Sequence, residues 1–360
     1  DGTEKINQKG IEFYQSLVRE LKAAGIEPMV TLYHWDLPYA LYLQGGWKNP
    51  QIPDWFAAYT KIVVEALSDQ VQYWMTLNEP QCFVGIGHLQ GRHAPFLDEP
   101  ASLRPVTRHV LLAHAKAVQT IRQYAKLPPK VGYAPTGPVF SPCGDESEAA
   151  IAEAYRRTME VEGCYSISWW CDPVLLGRVP EPMAKALGAD VFTPQELELL
   201  HQPLDYLGFN VYNACAAQQP GSEYTVNTWQ GSPRTAMEWP ITPDCIYWAI
   251  RFLNQRYGRP ILITENGMAN TDFVMLDGKV HDPQRIDYVH RHLLAARRAL
   301  QEGYPLIGYT YWSIMDNYEW AEGYSKRFGL IYVDYRTMER IPKDSAAWYA
   351  HVIATNGSEL

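Results

Sequence analysis

The sequence predicts an α/β fold and, within that class, a (β/α)₈ TIM barrel. Short apolar runs typical of buried strands alternate along the chain with longer segments whose apolar residues recur at helical spacing. This alternation indicates a parallel sheet, which either a barrel or a doubly wound sheet would provide. No predicted strand is followed by GxGxxG, the signature of a doubly wound dinucleotide-binding sheet, so the barrel is favoured.

The first half of the chain predicts three strands. Ile11, Tyr14 and Leu17 lie on one face of a predicted helix over 7–24, which ends before Gly25. Pro53 suits the first turn of the next helix, because proline has no backbone N–H to lose there. The predicted strands are 28–33, 71–77 and 130–134, and the predicted helices are 7–24, 54–69, 105–124 and 146–160.

The second half predicts three more strands and three more helices. Asp282 and Pro283 stand in the preferred order of a cap and a first-turn proline at the start of one of these helices. No linker rich in glycine, serine or proline divides the chain, so we expect a single catalytic domain over 1–360. The predicted strands are 205–212, 260–264 and 306–312, and the predicted helices are 245–257, 284–302 and 343–354.

The composition excludes several classes of partner. The formal net charge of −9 and the pI near 5.6 argue against binding to nucleic acid or to an anionic membrane surface. No apolar run approaches the roughly 20 residues that span a bilayer. The six cysteines form no CxxC pair or metal-ligand spacing, so we expect no metal, no cofactor and a reducing, cytoplasmic location.

Two short segments carry the strongest chemical signal, TLNEP at 76–80 and ITENG at 263–267. Each places one glutamate, Glu79 or Glu265, at the end of an apolar run. Burying a carboxylate is costly unless it is paired or used, so the two together indicate acid/base and nucleophilic chemistry. The alternative for either glutamate is a role at the start of the following helix.

Other predicted strand ends supply amides, an imidazole and indole rings. Barrel active sites lie at the carboxyl ends of the strands, so these groups are expected in one site. Carboxylates and amides bind hydroxyl groups, while tryptophan rings stack on the C–H faces of sugars. The set therefore suits a polyhydroxylated ring. Its members are His34, Trp35, Asn78, Tyr212, Trp312, Glu319 and Trp320.

The sequence resembles glycoside hydrolase family 1, the retaining β-glucosidases, over essentially its whole length. The matching segments are long, ordered and widely separated, which makes the resemblance specific. They are TLYHWDLP (31–38), TLNEP (76–80), HAP (93–95), LGFNVY (207–212), ITENG (263–267) and YWSIMDNYEWAEGYSKRFGLIYVDY (311–335).

The resemblance implies unequal roles for the two glutamates. Glu265 is expected to be the nucleophile and Glu79 the general acid/base. In retaining enzymes the two carboxyl groups lie about 5–5.5 Å apart, and the reaction passes through a covalent glycosyl-enzyme. Glu79 is retained where a thioglucosidase branch has glutamine, which favours O-glycosides.

The resemblance also implies a set of sugar contacts. Asn78 is expected at the 2-hydroxyl, Tyr212 at the nucleophile, and His34 with Trp35 near the 3-hydroxyl. Taken singly, His34 could be a buried structural histidine, and Tyr212 could be a core aromatic. The remaining contacts are Glu319 and Trp320 at the 3-, 4- and 6-hydroxyls, Trp312 beneath the ring, and Phe328 near the 6-position, unless Phe328 is also a core aromatic.

The expected activity is hydrolysis of terminal non-reducing β-D-glucosyl residues from β-glucosides and cello-oligosaccharides. A 6-phospho-β-glycosidase is an alternative, although Glu319 and Trp320 would disfavour a phosphate. A non-hydrolytic sugar-binding or inactive member is another, although both glutamates are present. Gln81 and Phe96 depart from the family pattern and leave the aglycone preference open.

The family has further residues before the equivalent of Asp1, which carry its first two β/α units. We therefore expect those two units to be missing from this chain. The strands at 29–33 and 306–312 would then have open apolar edges, which promote aggregation. We expect a separate segment or a partner subunit to complete the barrel.

Overall fold

A computed structural model describes residues 5–142, 146–216 and 231–360. Of the six cysteines, Cys143 lies outside the described residues. Two compact units can be distinguished. The first unit comprises Asp1–Gly137 with Met159–Phe209, and the second comprises Pro138–Thr158 with Asn210–Leu360. None of the described helices is long and apolar enough to cross a membrane.

The described residues form eleven α-helices and ten strands. The strands are β1 (Met29–Tyr33), β2 (Tyr73–Asn78), β3 (Lys130–Ala134), β4 (Val139–Ser141), β5 (Leu207–Asn210), β6 (Ala214–Ala216), β7 (Ile261–Asn266), β8 (Leu306–Tyr311), β9 (Ile331–Val333) and β10 (Arg340–Pro342). The helices are α1 (Gln8–Ala23), α2 (Tyr39–Tyr42), α3 (Ile52–Leu67), α4 (Leu103–Tyr124), α5 (Glu148–Met159), α6 (Ile167–Leu175), α7 (Glu181–Leu187), α8 (Pro194–Leu200), α9 (Cys245–Tyr257), α10 (Pro283–Gln301) and α11 (Asp344–Ala354).

All six predicted strands and all seven predicted helices are present, with ends shifted by no more than a few residues. One shift matters for the site. The strand predicted over 260–264 continues to Asn266 as β7, so Glu265 lies within the strand rather than after it. Its backbone pairing continues because hydrogen bonding along a strand does not depend on side-chain polarity; Asn266 still pairs with Tyr311 of β8.

The first unit is organised around a parallel sheet in the order β1-β2-β3. Thr31 pairs with Met75 and Tyr33 with Leu77, so β1 and β2 end side by side. Helix α4 packs against α3 and supplies a buried apolar face along most of its length. Because the strands are parallel neighbours, the residues that follow β1 and β2 emerge at the same edge of the sheet.

The second unit contains the parallel pair β7 and β8, with α9 and α10 packed against each other. Helix α10 begins with Asp282 and Pro283, as the sequence predicts. Among the described residues β1 pairs with β2 alone and β8 with β7 alone, and Ile307 on β8 is 52% exposed. The expectation that further strands cover these two edges stays a prediction.

A buried histidine on α4 couples the stability of the first unit to pH. His114 is fully buried, and its Nδ1 lies 2.6 Å from Thr76 Oγ1. Burial lowers the pKa of His114 from 6.5 to about 3. Because the folded-state pKa lies below that of the unfolded chain, the unfolded chain binds more protons between about pH 6.5 and 3, so stability falls as the pH falls through that window.

We therefore expect His114→Asn to make the free energy of unfolding less dependent on pH below about 6.5. The variant loses ring packing at pH 7, but its amide can still pair with Thr76 and carries no titratable group. Between pH 6.5 and 4 its free energy of unfolding should fall less steeply than that of the wild type, by about 1.4 kcal/mol per pH unit. Urea denaturation across this range measures the slope, and equal slopes would contradict the assignment.

Candidate active site

The first group of predicted site residues lies at the ends of β1 and β2. His34 and Trp35 follow β1, Asn78 ends β2, and Glu79 comes next. The Asn78 amide nitrogen lies 3.2 Å from His34 Nε2, and Trp35 Nε1 donates to the Asn78 carbonyl over 3.0 Å. The parallel register therefore brings four of the predicted residues together, as the sequence led us to expect.

Glu79 is held in an uncommon backbone conformation. Its φ is +43°, in the left-handed region that non-glycine residues rarely adopt. The residue is only 7% exposed. Its N–H donates to the Ala134 carbonyl over 2.8 Å, and its own carbonyl accepts from Cys82 N–H over 2.9 Å. Trp35 also has a positive φ, of +79°. Such strain costs about 1–3 kcal/mol per residue and is concentrated at functional sites.

His34 is a neutral imidazole at neutral pH. Burial lowers its pKa from 6.5 to about 4. The Asn78 amide donates to Nε2, so the ring proton resides on Nδ1. Since Nε2 accepts from Asn78, the donor of the ring is the Nδ1–H, a group that suits a hydroxyl oxygen. The neighbouring His93 of the HAP segment packs its ring 5.4 Å from that of Trp35.

A π-helix, Gln81–Leu89, begins directly after Glu79 and Pro80. The sequence did not predict it. The Gln81 side chain turns back to the first unit's backbone, donating to the Thr136 carbonyl and accepting from Thr136 N–H over 3.3 Å. Gln81 is 1% exposed, so it belongs to the support of the Glu79 segment. Gln81 departs from the family pattern, and its burial and its contacts with Thr136 give it a structural role here.

The second group of predicted site residues is centred on Glu265 of β7. Tyr212 donates its phenolic proton to Glu265 Oε2 over 2.7 Å, and Val211 N–H donates to the Glu265 carbonyl over 3.0 Å. The glutamate is 9% exposed. The phenol thus fixes the orientation of one carboxylate oxygen, and the predicted role of Glu265 as the nucleophile stays a prediction.

A layer of tyrosines and one amide supports this pair. Tyr288 donates to the Tyr212 carbonyl over 2.7 Å, and Tyr309 donates to Asn266 Oδ1 over 2.7 Å. The Asn266 amide in turn donates to the Val211 carbonyl over 2.7 Å. No pattern in the sequence predicts these supporting residues. Asn266 stands in the ENG segment, which was the one signal for it.

Trp312 follows β8 beside the end of β7. Its N–H donates to the Asn266 carbonyl over 2.9 Å. Its own carbonyl lies where a side chain at Gly267 would be, only 2.0 Å from the position of an added Cβ. Glycine is therefore required after Glu265 and Asn266 by this close approach.

Phe328 joins an aromatic cluster with Tyr212. The two rings lie 6.1 Å apart at 69°, and the ring of Trp239 is 5.1 Å from Tyr212. Phe328 is 2% exposed, so its contribution is made through packing around Tyr212. A role near the 6-position of a sugar stays a prediction.

Glu319 and Trp320 lie in the segment after β8. Glu319 N–H donates to the Gly323 carbonyl over 2.7 Å, which closes a tight turn. Trp320 has a φ of +45°, making it the third predicted site residue in the left-handed region. Arg327, nearby in sequence, is ion-paired with Asp316. The Arg327 side chain is 16% exposed.

Comparison with known proteins identifies the family. The model of "Glycosyl hydrolase family 1" matches residues 1–358. This chain belongs to glycosyl hydrolase family 1. The family 1 fold is a TIM barrel, so the predicted fold class is confirmed.

Curated relatives in family 1 resemble the chain over its full length. Beta-glucosidase A of Thermotoga maritima is 40% identical over 366 residues, spanning 100% of this chain and 80% of the relative. A 1,4-beta-D-glucan glucohydrolase of Thermotoga neapolitana is 40% identical over 99% of this chain and 80% of the relative. The solved Thermotoga maritima β-glucosidase bound to deoxynojirimycin has a TM-score of 0.88 at 40% identity, covering 99% of this chain and 80% of that one.

Proposed function

We propose that this family 1 chain is a retaining β-glucosidase. It releases terminal non-reducing β-D-glucosyl residues from β-glucosides and cello-oligosaccharides. The observation that carries the proposal is the 2.7 Å hydrogen bond from Tyr212 to Glu265, which orients a carboxylate oxygen at a strand end of the family fold. Relatives named β-glucosidase and 1,4-beta-D-glucan glucohydrolase at about 40% identity support it.

Glu265 acts as the nucleophile in the first half-reaction. Its carboxylate oxygen attacks the anomeric carbon, and a C–O ester bond forms while the glycosidic bond breaks. Glu79 supplies its proton to the departing oxygen, so the aglycone leaves as a neutral alcohol. Tyr212 is bonded to Oε2 of Glu265 and keeps that oxygen from rotating, which leaves Oε1 directed for attack.

Glu79 then acts as the base. It accepts a proton from water as the water oxygen attacks the anomeric carbon, and the bond to Glu265 breaks. Glucose leaves as the β-anomer, and both glutamates return to their starting states. Asn78 contributes an amide toward the 2-hydroxyl, a contact that strengthens in the transition state. The neutral His34 ring offers hydrogen bonds to the 3-hydroxyl side.

The substrate class follows from Glu319 and Trp320, the residues expected at the 3-, 4- and 6-hydroxyls, which we call the sugar readers. Glu319 would repel a 6-phosphate, so the proposed substrates are unphosphorylated. The buried thiols of Cys164 and Cys245 are in keeping with the cytoplasmic location that we include in the proposal.

The test is an assay of the whole chain with 4-nitrophenyl β-D-glucoside, cellobiose and 4-nitrophenyl β-D-glucoside 6-phosphate. We expect hydrolysis of the first two, with β-glucose detected first by ¹H NMR. Preferred hydrolysis of the phosphorylated glucoside would assign the phospho-glycosidase activity instead. Binding of deoxynojirimycin without turnover of any substrate would assign a non-hydrolytic sugar-binding role.

A further inference from the structure

A buried cluster of charged side chains lies in the second unit. It contains three acids and three bases, so its formal charges balance. Most of the side chains are 0% exposed, and Arg327 is 16% exposed. We call this set the ion cluster; its members are Asp272, Asp282, Arg285, Asp316, Arg327 and Lys343.

Asp316 is bound from several directions within the ion cluster. Its Oδ1 accepts from Lys343 Nζ over 2.8 Å and from Gly329 N–H over 3.0 Å. Its Oδ2 accepts from Arg327 Nη1 over 2.6 Å. Its own N–H donates to the Ile331 carbonyl over 2.9 Å. Both carboxylate oxygens and the backbone are therefore fixed to β9 and the segments around it.

The other end of the ion cluster is tied to rigid elements. Lys343 Nζ also lies 2.6 Å from Asp272 Oδ2, which accepts from Arg285 Nη2 over 2.6 Å. Arg285 is on α10 and also pairs with Asp282, which occupies the N-cap position of that helix. Asp316 is thus connected through Lys343 and Asp272 to the first turn of α10.

Asp316 stands in the middle of the segment that carries the sugar readers. Trp312 lies four residues before it, and Glu319 and Trp320 lie three and four residues after it. Between β8 and the turn at Trp320–Glu322, Asp316 makes charged contacts that attach this segment to the core. Glu319 and Trp320 are the expected contacts to the 3-, 4- and 6-hydroxyls of the glycone, and Trp312 is expected beneath the ring.

We propose that Asp316, held by Lys343 and Arg327, is a positioning residue that sets how strongly the enzyme reads the 4- and 6-hydroxyls of its sugar. This inference rests on the proposed β-glucosidase function. Asp316 is buried and acts through Glu319 and Trp320, so it makes no contact of its own with the sugar. Hydrogen bonds depend steeply on geometry, so a small shift of the segment weakens those particular contacts.

The variant that tests this is Asp316→Asn, which keeps the shape and the acceptor for Gly329 while removing the charge. Lys343 retains Asp272 as a partner, and Arg327 retains its bond to the Val333 carbonyl over 3.0 Å. The substrates are 4-nitrophenyl β-D-glucoside and its 2-deoxy, 4-deoxy and 6-deoxy analogues. We expect the loss in kcat/KM on removing the 4- or 6-hydroxyl to shrink by about tenfold, with the loss for the 2-hydroxyl unchanged.

A matched control separates positioning from stability. Asp282→Asn removes an equally buried charge from the same cluster, and its partners are Arg285 and Ser345 rather than the reader segment. It should lower the thermal midpoint without changing the three ratios, which are kcat/KM for the glucoside divided by kcat/KM for its 2-deoxy, 4-deoxy or 6-deoxy analogue. A partly unfolded Asp316→Asn sample would lower the apparent kcat/KM of all substrates by the same factor. It would leave all three ratios unchanged, so it could not produce the expected shift in the 4- and 6-deoxy ratios. If that variant does not fold, Arg327→Gln at the rim of the cluster removes one of the two ion pairs and should shift the same ratios.

The outcomes are distinct. No turnover of any glucoside by the wild type would refute the proposed function. Turnover by the wild type, with unchanged 4- and 6-deoxy ratios in a folded Asp316→Asn or Arg327→Gln, would refute the positioning role alone. A change in the 2-deoxy ratio as large as the other two would do the same, because it would show a general loss of the site.

Discussion

Glu265→Gly should lose β-glucosidase turnover almost completely. Without the carboxylate no glycosyl ester can form, and water alone is a poor nucleophile at the anomeric carbon. We expect kcat on 4-nitrophenyl β-D-glucoside to fall by about five orders of magnitude or more. The measurement is steady-state release of 4-nitrophenol, with the residual rate corrected for trace wild-type enzyme.

A small anion should restore part of the lost activity, and the configuration of its product should identify the missing nucleophile. Azide can enter the space that the Glu265 side chain leaves and attack the anomeric carbon from the same face. The product should therefore be α-glucosyl azide, with inverted configuration, identified by NMR. Glu339→Gln, which removes an exposed carboxylate on the turn before β10, should retain full activity. Turnover within tenfold of the wild type in Glu265→Gly would remove the nucleophile assignment.

The strand ends explain why so much of the site could be predicted. Glu265, Tyr212 and Asn78 stand at or next to the ends of apolar runs, and a parallel fold collects such ends at one edge. The contact between Tyr212 and Glu265 was implied by the family resemblance and lies where it was expected. The local sequence therefore predicts where these residues lie, and the roles that the family resemblance implies for them stay predictions.

Elements without a simple periodicity were missed. Helix α6 is buried on all sides, with Trp169 and Trp170 both fully buried, so it shows no polar face for a pattern to detect. Pro173 lies inside it and further argued against a helix. The π-helix after Glu79 follows a five-residue hydrogen-bonding repeat and contains Gly85 and Gly87, neither of which predicts a helix.

The residues that support the site also could not be predicted from single segments of the sequence. Tyr288 reaches Tyr212 from 76 positions away, and Lys343 reaches Asp272 across 71. Each of these residues alone looks like an ordinary helix or loop side chain. Their importance arises only when the fold brings them together, since a buried charge is stable only where its partners are in place.

Glu79→Ala should produce a loss that depends on the leaving group. Protonation of the departing oxygen matters most when the alcohol is a poor leaving group, so kcat/KM for cellobiose should fall by about 10³- to 10⁴-fold. An aryl glucoside with a very acidic phenol, such as 2,4-dinitrophenol, needs little protonation, so its first half-reaction should change by less than about tenfold. Loss of the base in the second half-reaction should then make the glycosyl-enzyme accumulate, which a burst of phenol release measures.

Azide again provides the decisive product, with the opposite stereochemistry. In Glu79→Ala the nucleophile is intact, so azide attacks the glycosyl-enzyme on the face where Glu79 stood and yields β-glucosyl azide. Glu79→Gln fills that space with a neutral amide, so it should show the same leaving-group dependence with little azide rescue. The positive φ of Glu79 makes the backbone a second variable, so far-UV circular dichroism must match between both variants and the wild type. Equal losses on cellobiose and the dinitrophenyl glucoside, without a burst, would assign Glu79 a structural role instead of proton transfer.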